Sequence, residues 1–230
     1  MLFCELKNLF YNIFFPQKCA FCEDISDNGT VICKRCEETF EKMLYRQKTK
    51  TCINGEKFSF AKKVAVVVEY NDFTSTAVLR LKNIGDRETI NFFGELLTRE
   101  YNERFLYDNI DIIIPVPMHK RKLSKKGFNH AQCIASFLAE QTKIPIRTDV
   151  LLKTKNNKTQ HFLSEQQRRE NILGVYQIEN KSEIINKDIL IVDDVMTTGS
   201  TAAECTKMLL ENGAKSVSVL VIAATEEKRR

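Results

Sequence analysis

Two adjacent carboxylates, Asp193 and Asp194, stand between the aliphatic run Ile189-Leu190-Ile191-Val192 and a run rich in small and hydroxyl-bearing residues, Met196, Thr197, Thr198, Gly199, Ser200 and Thr201. Carboxylates so placed accept hydrogen bonds from neighbouring ribose hydroxyls or bind Mg2+ carried by a diphosphate, since that ion prefers hard oxygen ligands. The hydroxyls and backbone N–H groups that follow suit a phosphate if they open a helix, whose first N–H groups lack partners within it and whose dipole favours an anion. The implied chemistry is capture of a sugar phosphate. The same residues also suit a capped strand–helix unit whose acids are merely solvated.

A second set of side chains has metal-ligand spacing. Cys19, Cys22, Cys33 and Cys36 form two Cys-x-x-Cys pairs separated by ten residues, with Gly29 in the polar loop between them. Each pair lets two sulfurs reach one ion from a tight turn, and Zn2+ takes four ligands at about 2.3 Å. So short a segment cannot build an apolar core, so a structural metal would supply its folding energy. Cys52 is followed by Ile53-Asn54-Gly55, a half-motif with no second cysteine beside it. Cys4, Cys133 and Cys205 sit in apolar helical patterns and read as small hydrophobes.

Elements to position these groups are legible on either side. The aliphatic run 189–192 reads as a core strand of a parallel sheet, and Ala202, Ala203, Cys205, Met208, Leu209 and Leu210, closed by Gly213, as the helix after it. Upstream, residues 64–68 read as a strand and residues 73–81 and 88–101 as helices, with a turn over 82–86. Residues 111–117 read as a strand ended by proline, which cannot continue a ladder. A basic loop over 118–130 then precedes a helix over 131–141; Pro117, Met118, Lys120, Arg121, Lys126, Gly127 and Asn129 are its candidate diphosphate contacts. Lys and Arg would neutralise such a group and backbone N–H groups would shape it. A strand-like run over 150–153 leads into the polar segment 154–164, either a linker or a lid, with Gln160 in it and Arg169 just beyond as candidate contacts.

Composition sets the frame for these elements. With 230 residues, 43% of them hydrophobic, the chain can hold one α/β domain and a small appendage. We divide it into an N-terminal helix and cysteine region over 1–57 and the α/β domain over 58–230. A net charge of +5, with positive residues clustered at 46–50, 119–126, 153–158 and 168–169, suits an anionic ligand, whether diphosphate or nucleic acid. The apolar stretch 2–15 is interrupted by Glu5, Lys7 and Asn8, so it is neither a spanning helix nor a signal segment, and a cytoplasmic location is expected. Eight cysteines in that setting point to metal binding or free thiols over disulfides.

The run 189–201 resembles the phosphoribosyl pyrophosphate (PRPP) motif of type I phosphoribosyltransferases. The chain as a whole resembles the ComF family, linked to DNA uptake in transformable bacteria. That resemblance rests on Phe15-Pro16 before the cysteine pairs, Leu81-Lys82 with Gly85-Asp86, Ile114-Pro115-Val116-Pro117, Lys126-Gly127-Phe128-Asn129-His130, Thr159-Gln160-His161-Phe162-Leu163-Ser164, Arg169-x-Asn171 and Asp193-Asp194. It implies a Rossmann-like α/β domain of the type I phosphoribosyltransferase kind, with a mostly parallel sheet, preceded by a small zinc knuckle. It further implies that Asp193 and Asp194 hold the ribose 2′ and 3′ hydroxyls, that residues 196–201 hold the 5′-phosphate, and that Mg2+ accompanies PRPP. Thr197 stands where some purine-salvage relatives carry an acid, so base chemistry on a purine is not implied, and no nucleobase hood precedes Val64. The reading is a PRPP pocket in a protein that handles single-stranded DNA during natural transformation, its knuckle and basic loops holding the DNA or a DNA-uptake helicase; Phe21, Phe128 and Phe162 are the aromatic candidates for base stacking, although phenylalanine in such positions is more often core. The alternative is an active phosphoribosyltransferase that releases diphosphate to an unidentified acceptor.

Overall fold

A computed structural model describes residues 17–26, 30–49, 60–83, 85–155 and 174–225. After the cysteine pairs comes α1 (Lys34–Thr49), then β1 (Lys63–Glu69), α2 (Asp72–Asn83), α3 (Arg87–Arg104), β2 (Ile112–Pro115), α4 (Lys120–Lys126), α5 (His130–Thr142), β3 (Leu151–Lys153), β4 (Tyr176–Ile178), β5 (Asp188–Met196), α6 (Ser200–Glu211) and β6 (Ser216–Ala224). The four strands β1-β6-β5-β2 form a parallel sheet in that order, and β3 pairs antiparallel with β4.

Aliphatic runs suit such a sheet because both of its faces are covered. Ala65, Val67, Leu190, Val192, Leu220 and Ile222 belong to one apolar cluster, with Leu81, Phe93, Leu97, Ile134 and Leu138 from α2, α3 and α5. Val64, Val66, Ile189, Ile191, Val219 and Val221 belong to another, with Cys205 and Leu209 of α6 and Leu151 and Tyr176 of the β3–β4 pair. The expected strands at 64–68 and 189–192 and the helices at 73–81, 88–101 and 131–141 are present.

Three expectations need correction. The basic segment is not all loop, because residues 120–126 form α4. Lys, Arg and Leu are good helix formers; Nδ1 of His119 accepts the Arg121 N–H at 3.2 Å, and Gly127 at φ 84° closes the helix through its N–H on the Leu123 carbonyl at 2.7 Å. Secondly, β5 does not stop before the acids: it runs through both to Met196, because β6 offers a ladder that pairs Asp193 with Val221 and Val195 with Ala223. Thirdly, Phe21 is 5% exposed and is core, not a stacking surface. Its ring centroid lies 5.0 Å from that of Phe73, 5.2 Å from Phe40 and 5.9 Å from Phe92. Segment 1–16, the boundary at residue 57, Cys4, Cys52, Gln160, Phe162 and Arg169 lie outside the described residues.

The end of the sheet opposite the acids is tied by charge. Asp188 accepts hydrogen bonds from Nζ of Lys215 at 2.6 Å and from the Ser216 hydroxyl, and its N–H donates to Oδ2 of Asp111 at 2.8 Å. The Lys215 ammonium and the Ser216 hydroxyl hold the Asp188 carboxyl below the usual carboxylate range.

Candidate functional site

The carboxyl end of β5 leads straight into the hydroxyl-rich turn. Thr225 at the end of β6 braces this turn, its N–H donating to the Met196 carbonyl and its hydroxyl to the Thr197 carbonyl, each at 3.1 Å. The Thr198 and Ser200 hydroxyls lie 2.8 Å apart. Gly199 occupies the N-cap of α6 at φ 74°, and no side chain caps the helix there. Since the left-handed region costs an L-residue about 1–2 kcal/mol, glycine suits the position; the Ser200 N–H donates to the Thr198 hydroxyl at 3.4 Å, and the N-cap side chain that would satisfy the next α6 N–H groups is absent.

The acids before this turn have different surroundings. Asp194 is 4% exposed. Its Oδ2 lies 2.9 Å from Nδ1 of His130 and 3.3 Å from Nζ of Lys82, and its Oδ1 accepts the Val195 N–H at 2.6 Å. Burial favours the neutral form, but the imidazole and then the ammonium outweigh it and hold this carboxyl below the usual range. Asp193 is partly exposed, and its Oδ1 accepts the Asp194 N–H at 2.9 Å. Burial and then the Asp194 charge push the Asp193 carboxyl well above the usual range. A cation or a pair of hydroxyls brought to Asp193 would stabilise its charged form.

Lys153 and Tyr176 interact electrostatically with Asp193 from the β3–β4 pair. Nζ of Lys153 lies 5.5 Å from the Tyr176 ring centroid, and burial, then Lys122, pull its ammonium below the ordinary lysine range. None of His130, Lys82, Lys153 and Tyr176 was singled out as a site residue from sequence. Lys82 and His130 do lie inside motifs that carried the resemblance, which was the available signal.

The basic segment contributes unequally. Lys120 and Arg121 are exposed, with Pro117 and Met118 partly so. Lys126 donates from Nζ to the Lys82 carbonyl at 2.8 Å, tying α4 to the end of α2. Asn129 is buried: its Oδ1 accepts the Ala131 N–H at 3.2 Å as the N-cap of α5, and its Nδ2 donates to the Val116 carbonyl at 3.0 Å. Gly127 serves as the left-handed stop of α4.

Away from this end, the sulfurs of Cys19, Cys22, Cys33 and Cys36 all lie within 4.8 Å of one another, those of Cys22 and Cys33 at 3.8 Å. Four sulfurs in a tetrahedron of about 2.3 Å radius stand about 3.8 Å apart, so this donor set fits a Zn2+-sized ion. The N–H groups of Phe21 and Cys33 both point at the Cys19 sulfur at 3.4 Å. Burial pushes the Cys19 thiol up, but backbone N–H donors led by Cys33 outweigh it and bring it down to about 7. The four-cysteine cluster could bind a structural metal.

A model of the phosphoribosyl transferase domain matches residues 95–230, from within α3 through β6. The chain belongs to the phosphoribosyl transferase family. The family match contains β5, the turn and both acids, while the cysteine cluster precedes it. Among curated relatives, a protein named DNA utilization protein YhgH from Escherichia coli O157:H7 is 36% identical over 115 residues, covering 50% of each chain. One named Competence protein F from Haemophilus influenzae is 26% identical over 228 residues, covering 91% of this chain and 98% of that one. One named Competence protein ComFC from Bacillus subtilis is 31% identical over 154 residues, covering 66% of this chain and 60% of that one. The chain spans about half the length of the DNA utilization proteins it matches. No helix among the described residues is long and apolar enough to cross a membrane.

Proposed function

We propose that this chain is a cytoplasmic competence-type protein whose α/β domain binds PRPP or a related sugar phosphate and which handles single-stranded DNA during uptake. The carrying observation is the uncapped N-terminus of α6 behind Gly199, which follows an acid pair at the end of a central parallel strand in a phosphoribosyl transferase domain. In this reading residues 196–201 take the 5′-phosphate on backbone N–H groups and hydroxyls, and the acid end of β5 meets the ribose and a Mg2+ ion carried by the diphosphate. Pro117, Met118, Lys120, Arg121 and Lys153 face the diphosphate as its positive and hydrogen-bonding boundary.

Calorimetric titration with Mg2+ and PRPP tests the pocket. Wild type binds, and Gly199→Val, which forces a branched side chain to φ 74°, weakens binding at least tenfold. Unchanged affinity in that variant would refute the assignment. An acceptor reaching C1′ would make the same pocket a transferase, so diphosphate release in a screen of nucleobases and small amines separates turnover from binding.

The DNA reading is supported by the competence and DNA-utilization names of the relatives and by the exposed cations of α4. The logarithm of the binding constant for single-stranded DNA should fall linearly with log salt, and a flat response would remove this part of the proposal. The four cysteines hold Zn2+ as a structural crosslink; purified protein should carry stoichiometric zinc by elemental analysis, and less than a tenth of that amount overturns the metal assignment.

A further inference from the structure

The antiparallel pair β3–β4 belongs neither to the acid-and-turn motif nor to the cysteine region, yet it carries a cation to the same end of the sheet. Its register sets Lys153 directly opposite Tyr176, so the two side chains share one face of the pair. Tyr176 is 2% exposed and belongs to the apolar cluster that includes Leu151 and, from α6, Ala202, Cys205 and Leu209. Nζ of Lys153 lies 5.5 Å from the Tyr176 ring centroid, within the roughly 6 Å over which an aromatic face attracts a cation. Thr154 closes the pair just beyond Lys153, its N–H donating to the Val175 carbonyl at 2.8 Å and its hydroxyl to the same oxygen at 3.1 Å. The Gly174 N–H donates to Oε1 of Glu204 at 3.4 Å, which ties the approach to β4 to α6.

The Lys153 ammonium so placed is partly buried. Among the described residues no carboxylate stands at ion-pair distance from it, although the Asp193 charge acts on it from farther off. Burial and then the like charge of Lys122 on α4 make its protonated form costly. A cation that is partly buried and faced by a second cation is stabilised by an anion that reaches both. Tyr176 also serves the other side of the pocket, because its hydroxyl reaches the side chain of Thr201, the second residue of α6, in the phosphate turn. One residue thus meets the cation with its ring and the phosphate turn with its hydroxyl.

We propose that Lys153 is a specificity-determining residue that reads a second anionic group on the sugar, the diphosphate at C1′, and that Tyr176 is the positioning residue that sets the spacing between this cation and the 5′-phosphate turn. The inference rests on the sugar-phosphate reading of the pocket. Lys120 and Arg121 lie exposed on α4, where a charge adds affinity for any anion. Lys153 differs because a buried ring and a strand ladder hold it at one place. Ribose phosphates charged at both ends satisfy the turn and the cation together. Ribose 5-phosphate satisfies the turn alone and leaves Lys153 facing Lys122 without an anion between them.

Calorimetry on the full chain with Mg2+ and two ligands, PRPP and ribose 5-phosphate, tests both roles. Wild type should bind PRPP at least about tenfold more tightly, which is what one hydrogen bond to a charged group supplies. Lys153→Met should remove most of that preference by weakening PRPP, while ribose 5-phosphate, whose phosphate lies away from this cation, stays within about twofold. Lys153→Arg, which keeps a charge able to sit on the ring, should recover most of the loss. Tyr176→Leu removes the ring and should also lose the preference, with no further loss on adding Lys153→Met. Tyr176→Phe keeps ring and packing, so it should keep the preference while weakening both ligands by a similar factor. A purely structural defect weakens both ligands alike, so the ratio of affinities separates selection from folding. A Lys153→Met protein with the wild-type ratio overturns the specificity role. Unchanged affinity for both ligands in Tyr176→Phe, or the wild-type ratio in a folded Tyr176→Leu protein, overturns the positioning role. Equal binding of the two ligands by wild type sinks the inference and leaves the pocket standing; a wild type that binds neither removes the sugar-phosphate reading and the inference with it.

Discussion

At the residue scale, one glycine ties the acid pocket to the Gly-Phe-Asn segment. Gly85 has φ 60°, and a Cβ there would stand 2.4 Å from Cζ of Phe128. The Phe128 ring thus packs on Gly85. Left-handed strain and overpacking add, so Gly85→Ala should cost about 2–4 kcal/mol in chemical denaturation; a loss under about 0.5 kcal/mol would show that the ring can move aside. The same change should disturb Lys82, three residues upstream, and through it Asp194.

At the scale of elements, the junction of β2, α4 and α5 turns on Asn129, which caps α5 and bonds the Val116 carbonyl. Asn129→Ala removes a cap worth about 1 kcal/mol and leaves a buried carbonyl unpaired, so a total loss of about 2–3 kcal/mol is expected in the unfolding midpoint. Asn129 thus acts as a structural clamp beside the candidate diphosphate boundary. The exposed residues of α4 should behave in the opposite way. Lys120→Ala with Arg121→Ala should leave stability within about 0.5 kcal/mol but lower the salt slope of single-stranded DNA binding by about 0.7 for each phosphate that these cations neutralise in the wild type. An unchanged slope would place the DNA elsewhere.

On the scale of the whole molecule, the cysteine region and the sheet domain share one apolar cluster, because Phe21 and Phe40 pack with Phe73 and Phe92 of α2 and α3. Arg80 adds a polar tie, donating to the Lys18 carbonyl at 2.7 Å and to Asp86, the N-cap of α3, at 3.0 Å. With a metal held by the four cysteines, as proposed, its removal by a chelator should consequently lower the melting temperature of the whole chain in one transition; an unchanged sheet-domain transition would show that the regions are independent. Phe21→Ala should cost about 3–5 kcal/mol by the same logic. At the other end of the sheet, Asp188 titrates below its unfolded range because of Lys215 and Ser216. A depressed carboxylate contributes stability that is full above its unfolded value near about 3.9 and disappears as pH falls through its folded value. Acid unfolding below about pH 4 should therefore become shallower in Asp188→Asn, as followed by circular dichroism.

The sequence by itself determined the local grammar of this protein. The strand at 189–192, the glycine at the mouth of α6, the paired cysteines and most helices follow from periodicity, backbone preference and ligand spacing, all of which act over a few residues. Tertiary structure alone decided what depends on pairing across the chain. β6 carried β5 through both acids and so turned Asp193 and Asp194 to opposite faces, a consequence of the two-residue strand repeat that no motif reveals. His130, Lys82, Lys153 and Tyr176 gained their places because helices and strands far apart in sequence converge at one sheet edge. The burial of Phe21 likewise required α2 and α3 to close over the cysteine region, an apolar contact that the spacing of the cysteines does not encode.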